Sequence, residues 1–260
     1  MKIYTLLENT ACRPDVQAEH GLSLYVETGE HRILFDAGQS GLFAENAEKM
    51  GVDLTKVEMC ILSHGHYDHG GGLPRFLEIN QTAPVYANAR VFEKHYNGTE
   101  KNIGLPPILE GNPRIRLVEN DLQLAPGLTL SSCNDRAYKA ESYGLNCVQN
   151  GVFQSDTFLH EQYLLVQEGD RRILFSGCSH KGILNIVKWF QPDILIGGFH
   201  FKKLDVEKDK AVLEQAAREL LSYKTQYYTC HCTGTAQYDF LKTIMGDRLS
   251  YLSCGSILTI

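Results

Sequence analysis

The chain has 260 residues and a formal net charge of −6, with 43% apolar, 22% charged and 10% aromatic residues. These values are typical of a globular protein and argue against disorder, collagen-like repeats and low-complexity sequence. The acidic balance argues against a general binder of nucleic acids or anionic membranes. No positively charged leader opens the chain and no apolar run is long enough to span a bilayer, so we expect a soluble, cytoplasmic protein.

The first half is predicted to alternate strands with short helices. The stretch from Tyr96 to Pro113 is rich in glycine, proline and asparagine and has no periodicity, which predicts a long loop. The predicted helices are Leu42–Met50 and Leu73–Glu78, and the predicted strands are Lys2–Leu7, Leu22–Thr28, Arg32–Phe35, Val57–Leu62 and Val85–Ala87.

The second half repeats this layout. No Ser/Pro-rich linker separates the halves, so we predict one domain over residues 1–260, with pseudo-repeat halves of about 1–120 and 121–260. Strands followed by helices in each half favour two packed sheets with helices outside. The predicted helices are Ile183–Phe190, Leu204–Tyr223 and Ala236–Thr243, and the strands are Leu128–Ser131, Tyr163–Gln167, Arg172–Ser176, Ile194–Ile196, Gln226–Thr229, a strand near Leu252, and Ile257–Ile260.

Residues 63–72 read Ser-His-Gly-His-Tyr-Asp-His-Gly-Gly-Gly directly after a strand predicted to be buried. His64 and His66 are two residues apart, so on an extended stretch their imidazoles project to the same side. Asp68 and His69 follow at the turn that opens the next helix. Imidazole and carboxylate ligands suit zinc, iron or manganese better than calcium. The spacing therefore predicts a transition-metal site.

This HxHxDH pattern at the end of a strand resembles the signature of the metallo-β-lactamase superfamily. The upstream stretch Leu34-Phe35-Asp36-Ala37-Gly38 resembles the strand of that superfamily that ends in Asp-x-Gly. The resemblance implies that Asp36 supports the histidine loop from behind. It also implies an α/β (α+β) fold, a four-layer αββα sandwich of two mixed sheets with helices outside. The implied cofactors are two divalent metal ions, with zinc favoured over iron or manganese.

Three motifs of the second half, Gly-Cys-Ser-His-Lys-Gly, Gly-Gly-Phe-His and His-Cys-Thr-Gly, resemble one branch of the superfamily. This branch contains the dihydropterin–ribofuranosylaminobenzene-phosphate synthase-like proteins. By resemblance, His231 matches the late ligand histidine and His180 is the remaining ligand. Cys178 stands where the superfamily usually has a bridging aspartate. A bridging thiolate and a buried neutral thiol both remain open for Cys178.

Three further residues near these motifs receive predictions. His160 falls where a third ligand histidine of the superfamily is expected, but it lies closer to the following Gly-Cys than usual, so we predict a supporting or structural role. His200 ends a Gly-Gly strand that faces the same cleft, and we assign it to substrate contact. Lys181 lies beside a motif histidine and is predicted to meet a substrate phosphate.

The remaining cysteines and histidines of interest are predicted to lie outside the site. Cys230 and Cys232 flank His231 on an extended strand, so their side chains should point away from the metal. Three histidines without a motif context are predicted to lie on the surface: His20, His31 and His95.

These features favour a metal-dependent hydrolase that uses a metal-activated water on a small, phosphorylated or pterin-like substrate. His64, His66 and His180 would hold one ion, while Asp68, His69 and His231 would hold the other, and Asp68 would also orient the nucleophile. The alternatives are a synthase that joins an activated pterin to an aminobenzene ribosyl phosphate, a di-iron redox protein, a nuclease and a non-enzymatic metal-binding module. The acidic charge argues against a nuclease, and His66 stands where di-iron relatives often carry glutamate.

Overall fold

The computed structural model describes residues 1–260 and contains two seven-stranded sheets. In the first sheet the first three strands of the chain pair antiparallel. The third of them and the next three strands across the sheet run parallel. The strands of this sheet, in spatial order, are β18 (Ile257–Thr259), β1 (Lys2–Leu7), β2 (Ser23–Glu27), β3 (Arg32–Phe35), β4 (Met59–Ile61), β5 (Val85–Asn88) and β8 (Ile115–Val118).

The second sheet has the same mixed character. The last four strands of this sheet, in chain order, run parallel, and the strands that precede them pair antiparallel. The strands, in spatial order, are β17 (Leu249–Tyr251), β16 (Gln226–Thr229), β15 (Ile194–Ile196), β14 (Arg171–Phe175), β13 (Tyr163–Glu168), β10 (Leu128–Ser131) and β9 (Leu122–Ala125).

The two sheets pack face to face over an apolar interior. Phe35 of the first sheet and Phe175 of the second meet there with ring centroids 5.5 Å apart, within a cluster of buried residues drawn from both sheets. Alternate side chains of each strand point into this interior, as a sandwich requires.

Helices cover the outer face of each sheet. On α4, Ile183, Ile186, Val187 and Phe190 form one buried stripe with helical spacing, and the helix ends where Gln191 adopts a left-handed conformation before Pro192. The resulting αββα sandwich confirms the predicted fold class. The helices are α1 (Leu42–Lys49) and α3 (Leu73–Ile79) on the first sheet, α4 (Ile183–Phe190), α5 (Lys210–Leu221) and α6 (Thr235–Met245) on the second, and the short α2 (Tyr67–Gly70).

A third, four-stranded sheet corrects the prediction of a long loop between Tyr96 and Pro113. Its strands are only two to five residues long and rich in polar residues, so no apolar period marks them in the sequence. Short 3₁₀ helices occupy Leu54–Lys56, Pro107–Leu109, His231–Thr233 and Gly246–Arg248. The strands of this small sheet, in spatial order, are β12 (Val152–Ser155), β11 (Leu145–Gln149), β6 (His95–Asn97) and β7 (Lys101–Asn102).

One predicted helix is too long. Helix α5 begins at Lys210 instead of Leu204, because the Asp205 carboxylate accepts hydrogen bonds from the backbone N–H groups of Glu207 and Lys208 and holds the preceding residues in a turn. None of the helices combines the length and the apolar composition that crossing a lipid bilayer requires.

Candidate metal centre

The histidine loop leaves the carboxyl end of β4, which lies between the parallel strands β3 and β5. Its extended part ends at His66, and α2 begins at Tyr67, as the spacing predicts. The side chains of His64, His66, Asp68 and His69 are buried, with between 0% and 9% of each residue exposed. Four polar side chains buried together require partners, because an unpaired polar group in the interior is costly.

The second half contributes three loops from the carboxyl ends of the parallel strands β14, β15 and β16. They carry Cys178 and His180, then His200, then His231. His200 and His231 have left-handed backbone conformations, with φ of 57° and 50°. Such backbone strain in non-glycine residues is typical of functional sites.

Close packing at Gly177 brings these loops against the histidine loop. Gly177 has φ of +63°, and a Cβ there would lie 2.5 Å from the Ser63 Oγ. Only glycine fits this position without displacing Ser63, the residue next to His64.

Four buried histidines of the site face one another in two pairs. We call His64 and His180 the first pair and His69 and His231 the second pair. In the second pair the two Nε2 atoms lie 3.3 Å apart. Asp68 Oδ2 lies 3.3 Å from His231 Nε2, and Cys178 Sγ lies 3.2 Å from His69 Nε2. His69, His231 and Cys178 therefore form one close group of potential ligands, and Asp68 joins it through its contact with His231.

The outer nitrogens of the second pair decide where its protons lie. His69 Nδ1 lies 2.7 Å from Asp36 Oδ2, and His231 Nδ1 lies 2.9 Å from Asn9 Oδ1, which also accepts the N–H of Gly21. Both outer nitrogens donate to these acceptors, so both neutral rings carry lone pairs on the facing Nε2 atoms. Two facing lone pairs and a carboxylate repel one another unless a cation lies among them.

His64 and His180, the first pair, are arranged similarly, with Nε2 atoms 3.2 Å apart. The Ser63 hydroxyl donates to Asp36 Oδ2 and accepts from His64 Nδ1 at 2.8 Å. The ring of His64 therefore also presents a lone pair on Nε2. His180 differs, because its Nδ1 is buried without a hydrogen-bond partner.

Cys178 belongs to both groups. Its Sγ lies within 4.8 Å of the ligand atoms of His64 and His180, and equally within 4.8 Å of those of His69 and His231. This is the position from which one atom can contact two ions.

His66 is placed differently from the sequence prediction. Its ring centroid lies 4.6 Å from that of His64 and 4.9 Å from that of His180, yet its closest group of potential ligands is His95, Asp156 and His160. His66 lines the pocket, but its Nε2 is sealed from solvent and unpartnered. The ring thus presents Nδ1 to the pocket.

The electrostatics of the rings suit metal binding. Burial, reinforced by neighbouring imidazoles, holds the pKa values of His64, His66 and His180 well below the usual histidine value, so these rings are neutral and have lone pairs. Burial also acts on His69, but Asp36 and Asp68 outweigh it and raise its pKa to about 9. A positive charge is therefore favoured at this ring, and a metal cation would supply it.

These observations fit a divalent transition metal. Neutral imidazoles, a carboxylate and a thiol form the donor set that zinc and iron prefer. The residues predicted as ligands are thus brought together, with His66 at the edge of the group.

Several predictions about individual residues need correction. Lys181 does not reach the pocket: its ammonium group is buried and donates to the carbonyl oxygens of Ser132 and Glu161 and to Asn134 Oδ1. Burial lowers the pKa of Lys181 to about 8, although Glu161 raises it. The lysine is an interior residue and not a phosphate contact.

Cys232 also departs from expectation. The 3₁₀ turn over His231–Thr233 replaces the predicted extended strand and turns the Cys232 thiol into the pocket, where it donates to the Cys178 carbonyl oxygen. It forms a third close group with Cys178 and His200.

The sequence analysis misplaced His95, which is completely buried against Asp156. His20 is exposed, as predicted, but it lies at the pocket, with its Nε2 3.1 Å from Asp68 Oδ2. Neither belongs to a motif, so only the fold brings them to the site. His160 is buried behind His66, consistent in position with a supporting role.

The ligand groups form the floor of a pocket of about 390 Å³. Lys101, Lys202 and Lys203 stand on its walls, and His200 also lines it, with both ring nitrogens buried and without hydrogen-bond partners. A concave site with cations on its walls and several neutral donors on its floor suits a small anionic ligand.

Comparisons with known proteins agree with this geometry. The family model described as "Metallo-beta-lactamase superfamily" matches residues 16–132. Over this part of the sequence the chain is similar to the metallo-β-lactamase superfamily. The crystal structure of Tm1679, described as a metal-dependent hydrolase of the beta-lactamase superfamily, aligns with a TM-score of 0.83 at 27% identity over 100% of this chain and 99% of that one.

Two further proteins set the range of similarity. A 7,8-dihydropterin-6-methyl-4-(beta-D-ribofuranosyl)-aminobenzene-5'-phosphate synthase from Methanocaldococcus jannaschii is 29% identical over 99% of this chain and 96% of its own length. The Zn(2+)-bound PqqB of Methylobacterium extorquens aligns with a TM-score of 0.60 at 10% identity, over 100% of both chains, and shares the fold alone. Similarity to the synthase extends across both halves of the chain.

Proposed function

We propose that this protein is a metal-dependent hydrolase with a two-ion centre that acts on a small phosphorylated substrate. The observation that carries this proposal is the pair of ligand groups that share Cys178. In each group two imidazole Nε2 atoms face each other at 3.2–3.3 Å, a separation at which a metal ion or a shared proton lies between them.

The two ions would be held by different residues. His64, His66 and His180 would hold the first ion, and Asp68, His69 and His231 would hold the second. Cys178 would contact both through its thiolate. Zinc fits this donor set best, and iron or manganese is the alternative. When bound, two divalent ions supply Lewis acidity, which lowers the pKa of a coordinated water and polarises an oxygen of the substrate.

One carboxylate orients an imidazole of each pair. Asp36 accepts the Nδ1–H of His69 directly and controls His64 through the Ser63 hydroxyl. Asp68, beyond its contact with His231, would orient the attacking water. His20, half-exposed at the pocket, lies 3.1 Å from Asp68 Oδ2 and would pass a proton from Asp68 to solvent.

The charges on the pocket wall support a phosphorylated substrate. Lys101, Lys202 and Lys203 supply three ammonium groups, each of which can meet a phosphate as a point charge. His200, which lines the same pocket, would contact the substrate next to them.

A second function is favoured by one specific observation, the similarity to the named synthase along nearly the whole chain. In this alternative the same centre and lysines would bind a pterin and a ribofuranosyl aminobenzene phosphate and join them. We also propose that residues 1–260 act as one domain, since both halves contribute ligands to the centre.

Assays of zinc-loaded protein would separate these functions. The substrates are a phosphomonoester, a phosphodiester and a dihydropterin diphosphate, the last with and without the aminobenzene ribosyl phosphate. Zinc-dependent phosphoester hydrolysis that His231→Ala abolishes and His31→Ala retains supports the hydrolase. Coupling that requires both partners supports the synthase. Protein that binds no divalent metal contradicts both, and firmly bound iron with visible absorption favours redox chemistry.

A further inference from the structure

Behind His66 lies a buried polar cluster that the proposed mechanism does not use. It consists of His95 at the start of β6 and Asp156 and His160 just after β12, and no more than 5% of any of these residues is exposed. One nitrogen or oxygen atom of each lies within 4.8 Å of the others and of a ring nitrogen of His66. The Nε2 atoms of His66, His95 and His160 are all buried without hydrogen-bond partners.

Hydrogen bonds to the backbone and to Asp156 determine the proton positions in this cluster. The buried N–H of Gly65 donates to His160 Nδ1 at 2.9 Å, so the neutral ring carries its proton on Nε2, which lies 3.4 Å from Asp156 Oδ2. His95 Nδ1 lies 2.8 Å from the same carboxylate oxygen and donates to it. Asp156 thus sits between two N–H donors, and its other oxygen accepts the Phe158 N–H.

This arrangement does not suit a third metal ion. The Nδ1 of His160 is occupied by the Gly65 N–H, and its Nε2 holds the remaining proton, so His160 has no lone pair to offer. The oxygens of Asp156 already accept the N–H groups of His95 and Phe158, and His160 Nε2 lies 3.4 Å away. The one free lone pair of the cluster is on His95 Nε2. This atom lies beside Gly65, since a Cβ built on Gly65 would lie 3.2 Å from it.

We infer that His95 and Asp156 are positioning residues that fix the tautomer of His66. Asp156 holds the proton of His95 on Nδ1, which leaves a lone pair on His95 Nε2. This nitrogen and His66 Nε2 have no hydrogen-bond partner in the structure, and the inference is that a small approach of the two rings lets His66 Nε2 donate its proton to His95 Nε2. His66 is left with its lone pair on Nδ1, the nitrogen that faces the pocket. A histidine that binds metal commonly donates its other N–H to such a partner. The inference rests on the proposed metal centre.

The same segment also supports His180. The Phe158 ring stacks on the His180 ring, with centroids 4.5 Å apart and planes inclined by 12°. Of the three histidines proposed for the first ion, Asp36 reaches only His64. Residues 156–160 therefore position the other two, His66 and His180.

Zinc binding by variants of His95 tests the inference. In His95→Leu the acceptor is lost, and the affinity for one of the two zinc ions should fall by about 10–100-fold, as is usual when an outer partner is removed. His95→Gln retains an acceptor near the Nε2 position and should restore affinity to within about threefold of wild type. His31→Leu, which removes a partly exposed histidine paired with Glu58 and remote from the centre, is the matched control and should bind as wild type does.

Affinities would be measured by competition with a zinc-binding dye, with unfolding of the metal-free variants followed by circular dichroism. Unchanged zinc affinity in His95→Leu would overturn the inference. An equal loss of affinity in His95→Leu and His95→Gln would also overturn it. So would a wild-type protein that binds a third zinc ion which both variants lose. If His95→Leu does not fold, nitrogen NMR of the wild-type histidine rings decides. A proton on His66 Nε2 supports the inference, and a proton on Nδ1 contradicts it. The position of the proton on His66 can be measured in metal-free protein. The test therefore distinguishes a failure of this inference from a failure of the proposed metal centre.

Discussion

The two imidazole pairs of the site have nearly equal spacing but are held in different ways. In the second pair, His69 and His231 both have their outer nitrogens fixed, by Asp36 and Asn9. In the first pair only His64 is fixed, through Ser63, while the outer nitrogen of His180 has no partner. The two pairs therefore have nearly equal Nε2–Nε2 distances, but only in the second pair are both rings held in orientation by hydrogen bonds.

This difference has a consequence for the order of metal binding. A ring that is already held in its binding orientation loses less conformational freedom when the ion arrives. The carboxylate of Asp36 also makes the His69 ring a stronger ligand. We expect the second group to bind zinc more tightly than the first and to fill first during a titration.

Removing a ligand from each pair gives the largest expected effect. His231→Ala should lose the tightly bound zinc, with an affinity drop greater than the roughly 10–100-fold cost of losing an outer partner. His180→Ala should lose only the weaker ion. Zinc content after dialysis against a weak chelator measures both, with His31→Ala as the control. Retention of both ions by His180→Ala would remove that residue from the centre.

Asp36→Asn should give the next largest effect, because this carboxylate supports both pairs. We expect about 10–100-fold weaker binding of the tight ion, and a smaller loss for the other, which Asp36 reaches only through Ser63. Calorimetric titration with zinc measures both affinities. Equal losses at the two positions would show that the pairs are not held differently.

Asn9→Ala probes the neutral partner of His231. A neutral hydrogen bond contributes about 1 kcal/mol, which corresponds to roughly a fivefold loss of affinity for the tight ion. The same titration applies. A loss as large as that of Asp36→Asn would contradict the distinction between a charged and a neutral partner.

Lys202→Ala should have the smallest effect and concerns the wall of the pocket. An ion pair that remains accessible to water contributes about 0.2–1 kcal/mol, so the KM for a phosphorylated substrate should rise by roughly 1.4- to fivefold while the zinc affinities stay unchanged. Steady-state kinetics at two salt concentrations measures this change. Lys49→Ala, on helix α1, is the control, and a changed zinc affinity in Lys202→Ala would place this lysine with the metal ligands instead.

Much of the fold and the centre of the site could be predicted from the sequence, because the informative signals are local. The strand before His64, the two-residue spacing and the helix start after His66 lie within ten residues. The positions of His180 and His231 follow from strands with clear apolar runs and from the resemblance of their motifs.

The supporting residues could not be predicted, since they meet only in the folded chain. His95 and Asp156 lie 61 residues apart and belong to a small sheet with no apolar period. Lys181 stands beside a motif histidine in the sequence, but its side chain turns inward to carbonyl oxygens. Cys232 enters the pocket because a 3₁₀ turn interrupts the expected strand, and the sequence carries no marker of that turn.

Titration of metal-free protein with Co²⁺, followed by optical absorption, tests the two-ion centre most directly. We predict two equivalents per chain, with thiolate-to-cobalt absorption that Cys178→Ser removes for both ions and Cys232→Ser retains. A single equivalent, or two equivalents without thiolate absorption in the wild-type protein, would contradict a centre in which Cys178 joins two ions.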